Sequence, residues 1–380
     1  MSQAAEKSGK PPSHIGLFLS GDVMAGRGID QVMPHPSDPV LYEPYVRNAK
    51  RYVELAEKLN GPIPKPVDFT YVWGDALAEL QRVAPDLRII NLETSVTTST
   101  DYWSGKGIHY RMHPQNIPCL TVAGINCCVL ANNHVLDWGY RGLEETLRTL
   151  RNANLKTAGA GRNLGEAKAP AEIAVPGKGR VLVFSFGTES SGVYHQMAAK
   201  DDRPGVNLAP DLSDRTVRRF EKDVRAVKRK GDIVVASIHW GDNWGYDIPL
   251  EQIHFAHELI DIAGVDIVHG HSSHHVKGIE VYNNKLIIYG CGDFLTDYEG
   301  IRGYEDYRND LGLMYFVRVT PGSGELVGLE MVPTQIRRFR LHRASENDRR
   351  WLREVLNREG RQFNTGVELD REKRFLLHWA

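Results

Sequence analysis

Residues with the chemistry of metal ligands and proton carriers recur in this chain at one kind of place, the end of a buried apolar run. The densest group is Val268-His269-Gly270-His271-Ser272-Ser273-His274-His275, which packs four of fifteen histidines into a short stretch. Imidazole is the commonest metal ligand and the usual proton carrier near neutral pH. The small Gly and Ser residues between the rings let ligands converge. Four other runs end the same way. Asp22 follows Ile15–Ser20 in a Gly-rich turn, Glu93 follows Arg88–Leu92, Asn133 and His134 follow Ile125–Leu130, and His239 follows Asp232–Ile238. One such residue is ordinary turn capping. Five after five separate strand-like runs are hard to explain as solvation, because ligands in open α/β sheets gather beyond the carboxyl ends of the strands. The mixed oxygen and nitrogen set suits Mn, Fe or Zn better than Mg or Ca. A carboxylate shared between two metals, ringed by imidazoles, is the usual plan of a two-metal hydrolytic site.

The elements that must position these groups alternate in an α/β manner. Apolar runs of strand length are followed by polar clusters and then by helical periodicity. Leu143, Leu147 and Leu150 share one helical face. Val217, Phe220, Val224 and Val227 define a helix over about 212–229, stopped by Gly231. Ile253, Ala256, Ile260 and Ala263 define another over 249–263. A shorter helix is expected over Ala76–Val83, closed by Pro85. The segments 171–175 and 181–186, joined by Pro176-Gly177-Lys178-Gly179, read as a hairpin. So do 278–282 and 285–289, joined by Asn283-Asn284, and 311–319 reads as a further strand. Residues 30–66 read as a polar insertion with one amphipathic piece near 45–59. The last 45 or so residues, 336–380, read as a charged extension packed on the domain, with a helix near 348–358. Residues 1–13 read as a disordered tail.

Composition excludes several classes. The chain has 380 residues, 41% hydrophobic and 25% charged, which is ordinary for a globular domain. The formal net charge of −1 gives no global field for nucleic acid or acidic membrane. No apolar run approaches the roughly 20 residues needed to span a bilayer, and the start has no apolar signal-like core. Cys119, Cys127, Cys128 and Cys291 lack the paired spacing of zinc sites, and Cys127 and Cys128 sit in an apolar run as small core residues. A reducing, cytoplasmic setting is therefore expected.

The order of these motifs resembles the calcineurin-like metallophosphoesterase superfamily, and within it the CapA branch of poly-γ-glutamate capsule synthesis proteins. The resemblance rests on Gly21-Asp22-Val23-Met24-Ala25-Gly26-Arg27, Asn91-Leu92-Glu93-Thr94, Ala131-Asn132-Asn133-His134-Val135-Leu136-Asp137, His239-Trp240-Gly241, Gly270-His271-Ser272-Ser273-His274 and Tyr289-Gly290-Cys291-Gly292-Asp293-Phe294. It implies a four-layer α/β/β/α sandwich over about 14–335. It implies Asp22 and a bridging Glu93 as carboxylate ligands, with Asn133, His239 and His271 on one metal and His274 reaching the other. It implies His134 as general acid, oriented by Asp137, and Arg27 with Arg111 on the anionic oxygens of a substrate, where a guanidinium fork fits. The pattern departs from the wider superfamily at Met24, where an imidazole ligand is usual, at Glu93, where Asp is usual, and in a histidine spacing of three. These departures leave the ion count open, from two divalent ions (Mn, Fe or Zn) to none.

The remaining candidates carry two readings each. Asp293 is either a hydrogen-bond partner of the histidine cluster facing substrate or a turn cap. Trp240 is either a pocket wall or packing. His269 reads as a buried, satisfied histidine, and His275 is left unassigned. Three functions follow. The first is a hydrolase in which metal-activated hydroxide attacks a phosphoester or a poly-γ-glutamate-related amide. The second is a metal-independent peptide epimerase or racemase, with Asp22 and a histidine of 271–275 as the acid/base pair. The third is a non-catalytic factor in capsule polymer assembly. The expected partner is a small anionic or peptide-like substrate, with no nucleic acid and no membrane span.

Overall fold

The computed structural model describes residues 14–380; the tail expected over 1–13 lies outside them. The fold is mixed α/β, built around two large sheets. Ile15–Val23 is buried along its whole length, as a strand covered on both faces requires. Its side chains alternate up to Ser20. Leu17 and Leu19 enter one apolar cluster and Phe18 the one on the opposite face, which Val23 joins because the register slips between Ser20 and Asp22.

This strand centres a ten-stranded sheet. Leu87–Leu92, Cys127–Val129 and Lys156–Ala158 follow in parallel on one side. Leu311–Val319, Leu326–Arg337, Phe375–Trp379 and Thr365–Leu369 continue it antiparallel on the other. The second sheet has six strands. Gly179–Gly187, Ile233–His239, Ile267–His271 and Lys285–Ile288 run parallel, and antiparallel Ala171–Val175 and Ile279–Tyr282 form its edges.

Three apolar clusters order the layers. The middle one takes Leu17, Ile89 and Val129 from the large sheet and Val183, Val235, Ile267 and Ile288 from the small one. A second joins the other face of the large sheet to Leu80, Leu143, Leu147 and Leu150 of the helices Ala76–Val83 and Gly139–Asn152. The third joins Phe184, Val234 and Val268 to the helices Asp214–Val227 and Leu250–Asp261. In Leu250–Asp261 the expected Ala256 and Ile260 are buried, as is Ala263 just beyond it, but the face is wider than expected: Phe255 and Leu259 are fully covered and Ile253 only partly.

The segment after residue 336 holds more regular structure than a charged extension. The helix Glu346–Gly360, capped by the Ser345 side chain on the Asp348 amide, buries Leu352, Val355 and Leu356 in the middle cluster. Phe375–Trp379 then pairs with Leu326–Arg337, itself unforeseen. Among the described residues no helix is long and apolar enough to cross a membrane.

Candidate metal centre at the seam of the two sheets

The parallel strands of each sheet end at the site. Asp22 stands near the end of Ile15–Val23 beside a bulge, where the pairing with Leu87–Leu92 slips between Ser20 and Asp22. Bulges of this kind re-aim side chains. Gly21 makes the bulge sterically feasible, since a Cβ there would lie 1.7 Å from the Gly292 carbonyl oxygen. The short strand Asp293–Leu295 runs parallel alongside and sets Asp293 opposite Asp22. His239 and His271 end neighbouring strands of the other sheet, in register with each other. Oxygen ligands therefore come from the large sheet and its loops, and imidazoles from the small one.

The groups are fully enclosed. Asp22, Glu93, His239, His271 and Asp293 are all buried. Asn91 Nδ2 donates to Asp22 Oδ1 (2.7 Å) and to Glu93 Oε2 (3.1 Å), holding the carboxylates side by side. Asn132 in turn donates to Asn91 Oδ1 (2.9 Å). Glu93 Oε1 lies 3.8 Å from His239 Nε2 and 3.9 Å from His134 Nε2. His239 Nδ1 and His271 Nδ1 face each other at 2.8 Å, and the latter is 3.9 Å from Asp22 Oδ1. Two ligand-grade clusters share Asp22: Asp22–His239–His271 and Asp22–His274–Asp293. Asn133 sits at the rim, its buried Oδ1 without a hydrogen-bond partner among the described residues.

Burial dominates the electrostatics. It pushes the Asp22 carboxyl up to about 7, helped by the neighbouring Asp293 charge. It raises Glu93 well above the usual carboxylate range, with Asp22 adding to it. It holds His239 and His271 well below the usual imidazole value. His274 is the exception. Burial opposes its cation, but Asp293, accepting from Nδ1 at 2.8 Å, outweighs that and raises the pKa.

His134 stands at the edge of this group with Nδ1 2.7 Å from Asp137 Oδ2, which leaves Nε2 toward Glu93. Burial pulls its pKa down to about 4 against the pull of Asp137. Lys106, which sequence reasoning passed over, donates to Asp137 Oδ1 (2.5 Å) and to the Asn133 carbonyl, and lies 3.3 Å from His134 Nδ1. It comes from an irregular loop with no motif around it. Its only sequence signal is a cation between Gly105 and Gly107 in a polar stretch rich in Thr, Ser and Tyr.

Other candidates carry contacts of their own. Arg27 is buried, with a left-handed φ of 53°, and gives its guanidinium to Asp297 (2.8 and 2.5 Å) and Glu43 (3.1 Å). Arg111 stacks on Trp138 and donates to the carbonyls of Ser99 and Asp38. Trp240 is buried in the outer cluster, its indole donating to the Tyr289 carbonyl (2.9 Å). His269 spans the seam, touching Ser237 Oγ (3.0 Å) on its own sheet and the Ser20 carbonyl (2.9 Å) on the other. His275 is enclosed by Trp244, Tyr246 and Tyr307. Met24 is buried, its sulfur 3.7 Å from the Tyr298 hydroxyl.

A mixed α/β fold with buried carboxylates and imidazoles gathered at strand ends is the architecture of the metallophosphoesterase-like proteins. The family model described as "Bacterial capsule synthesis protein PGA_cap" matches residues 16–298, and the chain belongs to that family. It is 48% identical over 357 residues, 94% of each chain, to a probable polyglutamine synthesis accessory protein of Mycobacterium tuberculosis. It is 29% identical to the PGA biosynthesis protein CapA of Bacillus subtilis, covering 83% of this chain and 70% of that one. The capsule biosynthesis protein CapA of Bacillus anthracis is 27% identical, covering 84% of this chain and 67% of that one.

Proposed function

We propose that this protein is a metal-dependent hydrolase acting on an anionic substrate, a phosphoester or a γ-glutamyl amide, in the synthesis of a polyglutamate polymer. The polymer assignment comes from relatives named for polyglutamine synthesis and for PGA biosynthesis. The observation that carries the chemistry is the Asp22 carboxylate. Its Oδ2 is buried without a hydrogen-bond partner among the described residues and shares space with two imidazole-bearing clusters. A buried, unpaired carboxylate oxygen is costly unless a cation or proton meets it, so the residues fit a divalent ion. Asp22, Glu93, Asn133, His239 and His271 would hold it, with His274 on the other side of Asp22, and the mixed donor set favours Mn, Fe or Zn. Such an ion, when bound, acidifies water and polarises a phosphoryl or carbonyl oxygen.

The chain's own groups do the rest. Asn91 keeps Asp22 and Glu93 oriented. Asp137 fixes the His134 ring so that Nε2 faces the reacting atoms, where it takes up a proton from the nucleophile's side and passes it to the leaving group. Lys106 keeps Asp137 ionised and in place. A second reading, proton transfer at a carbon acid, is favoured by Met24. Its thioether supplies no hard ligand, and Asp22 and His274 share one cluster as a candidate acid/base pair. Elemental analysis of the purified protein, with turnover of phosphoester and γ-glutamyl amide substrates before and after chelation, tests the first reading. Full turnover by metal-free protein would overturn it. Solvent deuterium entering a peptide without hydrolysis would establish the second.

A further inference from the structure

We propose that Asp293 is itself a metal ligand, forming with Asp22 and His274 a second cation site beside the Asp22–His239–His271 one. The inference rests on the metal-dependent reading above and extends it. Met24, two residues after Asp22, offers only a thioether, which lies 3.7 Å from the Tyr298 hydroxyl. The structure brings a second carboxylate beside Asp22 from another part of the chain. Gly21-Asp22 and Gly292-Asp293 lie back to back. The Asp22 amide donates to the Gly292 carbonyl (3.2 Å), and Asp22 and Asp293 are register partners. Only glycine at 21 permits this approach, because a Cβ would overlap that carbonyl.

Two carboxylates so close repel each other, and both are buried. Asp293 spends one oxygen on His274 Nδ1 and keeps the other, Oδ2, without a partner; Asp22 Oδ2 is equally unpartnered among the described residues. The ligand atoms of Asp22, His274 and Asp293 lie within 4.8 Å of one another. Buried like charges with free oxygens converging beside an imidazole form a cation cradle of the kind Mn²⁺ accepts. Asp293 therefore does more than orient His274: it keeps a second, unpartnered oxygen for the cluster it forms with Asp22 and His274.

The test counts ions and does not depend on turnover. Full-length protein stripped with chelator is titrated with Mn²⁺, following free Mn²⁺ by electron paramagnetic resonance and heat by calorimetry, for wild type, Asp293→Asn, Asp293→Ala and His239→Ala. Wild type should bind one equivalent more than Asp293→Ala. Asparagine still accepts the His274 hydrogen bond but loses the anionic oxygen. Asp293→Asn should therefore weaken the second equivalent by more than the roughly 10–100-fold that loss of an outer hydrogen-bond partner costs. His239→Ala should weaken the other equivalent instead. Thermal melts of the stripped variants confirm folding, and Asp293→Asn carries the test if Asp293→Ala fails to fold. Retention of the second equivalent in Asp293→Asn, within about tenfold of wild type, overturns the proposal and leaves Asp293 a positioning residue. So does a wild type that binds one ion lost only in His239→Ala, although the hydrolase reading survives that result. Two ions dependent on Asp293 in a protein that hydrolyses nothing would sink the hydrolase reading and leave this site standing.

Discussion

Replacing Arg27 by Met should show itself first in stability. The guanidinium makes three charge-assisted hydrogen bonds, at 2.8 and 2.5 Å to Asp297 and 3.1 Å to Glu43, between side chains no more than 1% exposed. Tyr52 and Tyr110 stack on its faces at 3.7 and 4.4 Å. Methionine fills much of the stem volume but leaves two buried carboxylates facing each other. Breaking a buried pair by removing one partner costs about 3–5 kcal/mol. At about 1.4 kcal/mol per decade, the folding equilibrium should fall by at least about 100-fold. Urea unfolding followed by fluorescence should show a lowered midpoint with an unchanged slope. Adding Asp297→Asn to Arg27→Met should recover part of the loss, because it removes one uncompensated charge, and a double-mutant cycle should give a coupling of about 1 kcal/mol or more. A loss below about 1 kcal/mol, or additive single effects, would refute the structural role and return Arg27 to substrate binding.

Three further outcomes follow from the geometry. Gly21→Ala should destabilise by about 1–3 kcal/mol, as forced overpacking does. It should also weaken Mn²⁺ binding, because the added Cβ pushes the Gly292 carbonyl and with it Asp293; calorimetry and urea unfolding check both. Lys106→Met should lower kcat by about 10-fold or more while leaving metal content unchanged, and His134→Asn should lower it by about 10²–10⁴-fold; steady-state kinetics with elemental analysis separates the two effects. Saturating Mn²⁺ at about 100 times its Kd should stabilise the stripped protein by about 2.7 kcal/mol, reversed by chelator, and a melting temperature indifferent to Mn²⁺ would count against any metal centre.

Most of the candidate site was legible because each candidate ligand follows a buried strand, and strand ends are marked by apolar runs giving way to polar residues. Asp22, Glu93, His239 and His271 all announce themselves in that way. Arg27 and Arg111 were legible only as cations near the motifs. Their partners, Asp297 and Glu43 for one and two carbonyls for the other, are contributed by loops that no periodicity reveals. Lys106 was invisible for the same reason. The strand Leu326–Arg337 contains Pro333, which argues against a paired strand, and Thr365–Leu369 and Phe375–Trp379 are short and keep apolar Leu369 and Leu376 exposed, which blurs their alternation. In the helix Leu250–Asp261 the spacing found Ala256 and Ile260 but not Phe255 and Leu259, since two apolar stripes adjoin and the facing sheet covers both.

The division of the candidate ligands between the sheets has a thermodynamic consequence. Asp22 and Asp293 belong to one sheet and Glu93 follows one of its strands, while His239 and His271 belong to the other, with His269 bridging the seam. Neither half alone offers a mixed donor set. An ion held there acts as a rivet across the domain's central interface, so its affinity reports how firmly the halves are docked. A substitution deep in the middle apolar cluster, far from any ligand, should therefore loosen metal retention in proportion to the docking it disturbs. Ion exchange in this fold is then a measure of breathing between its two halves.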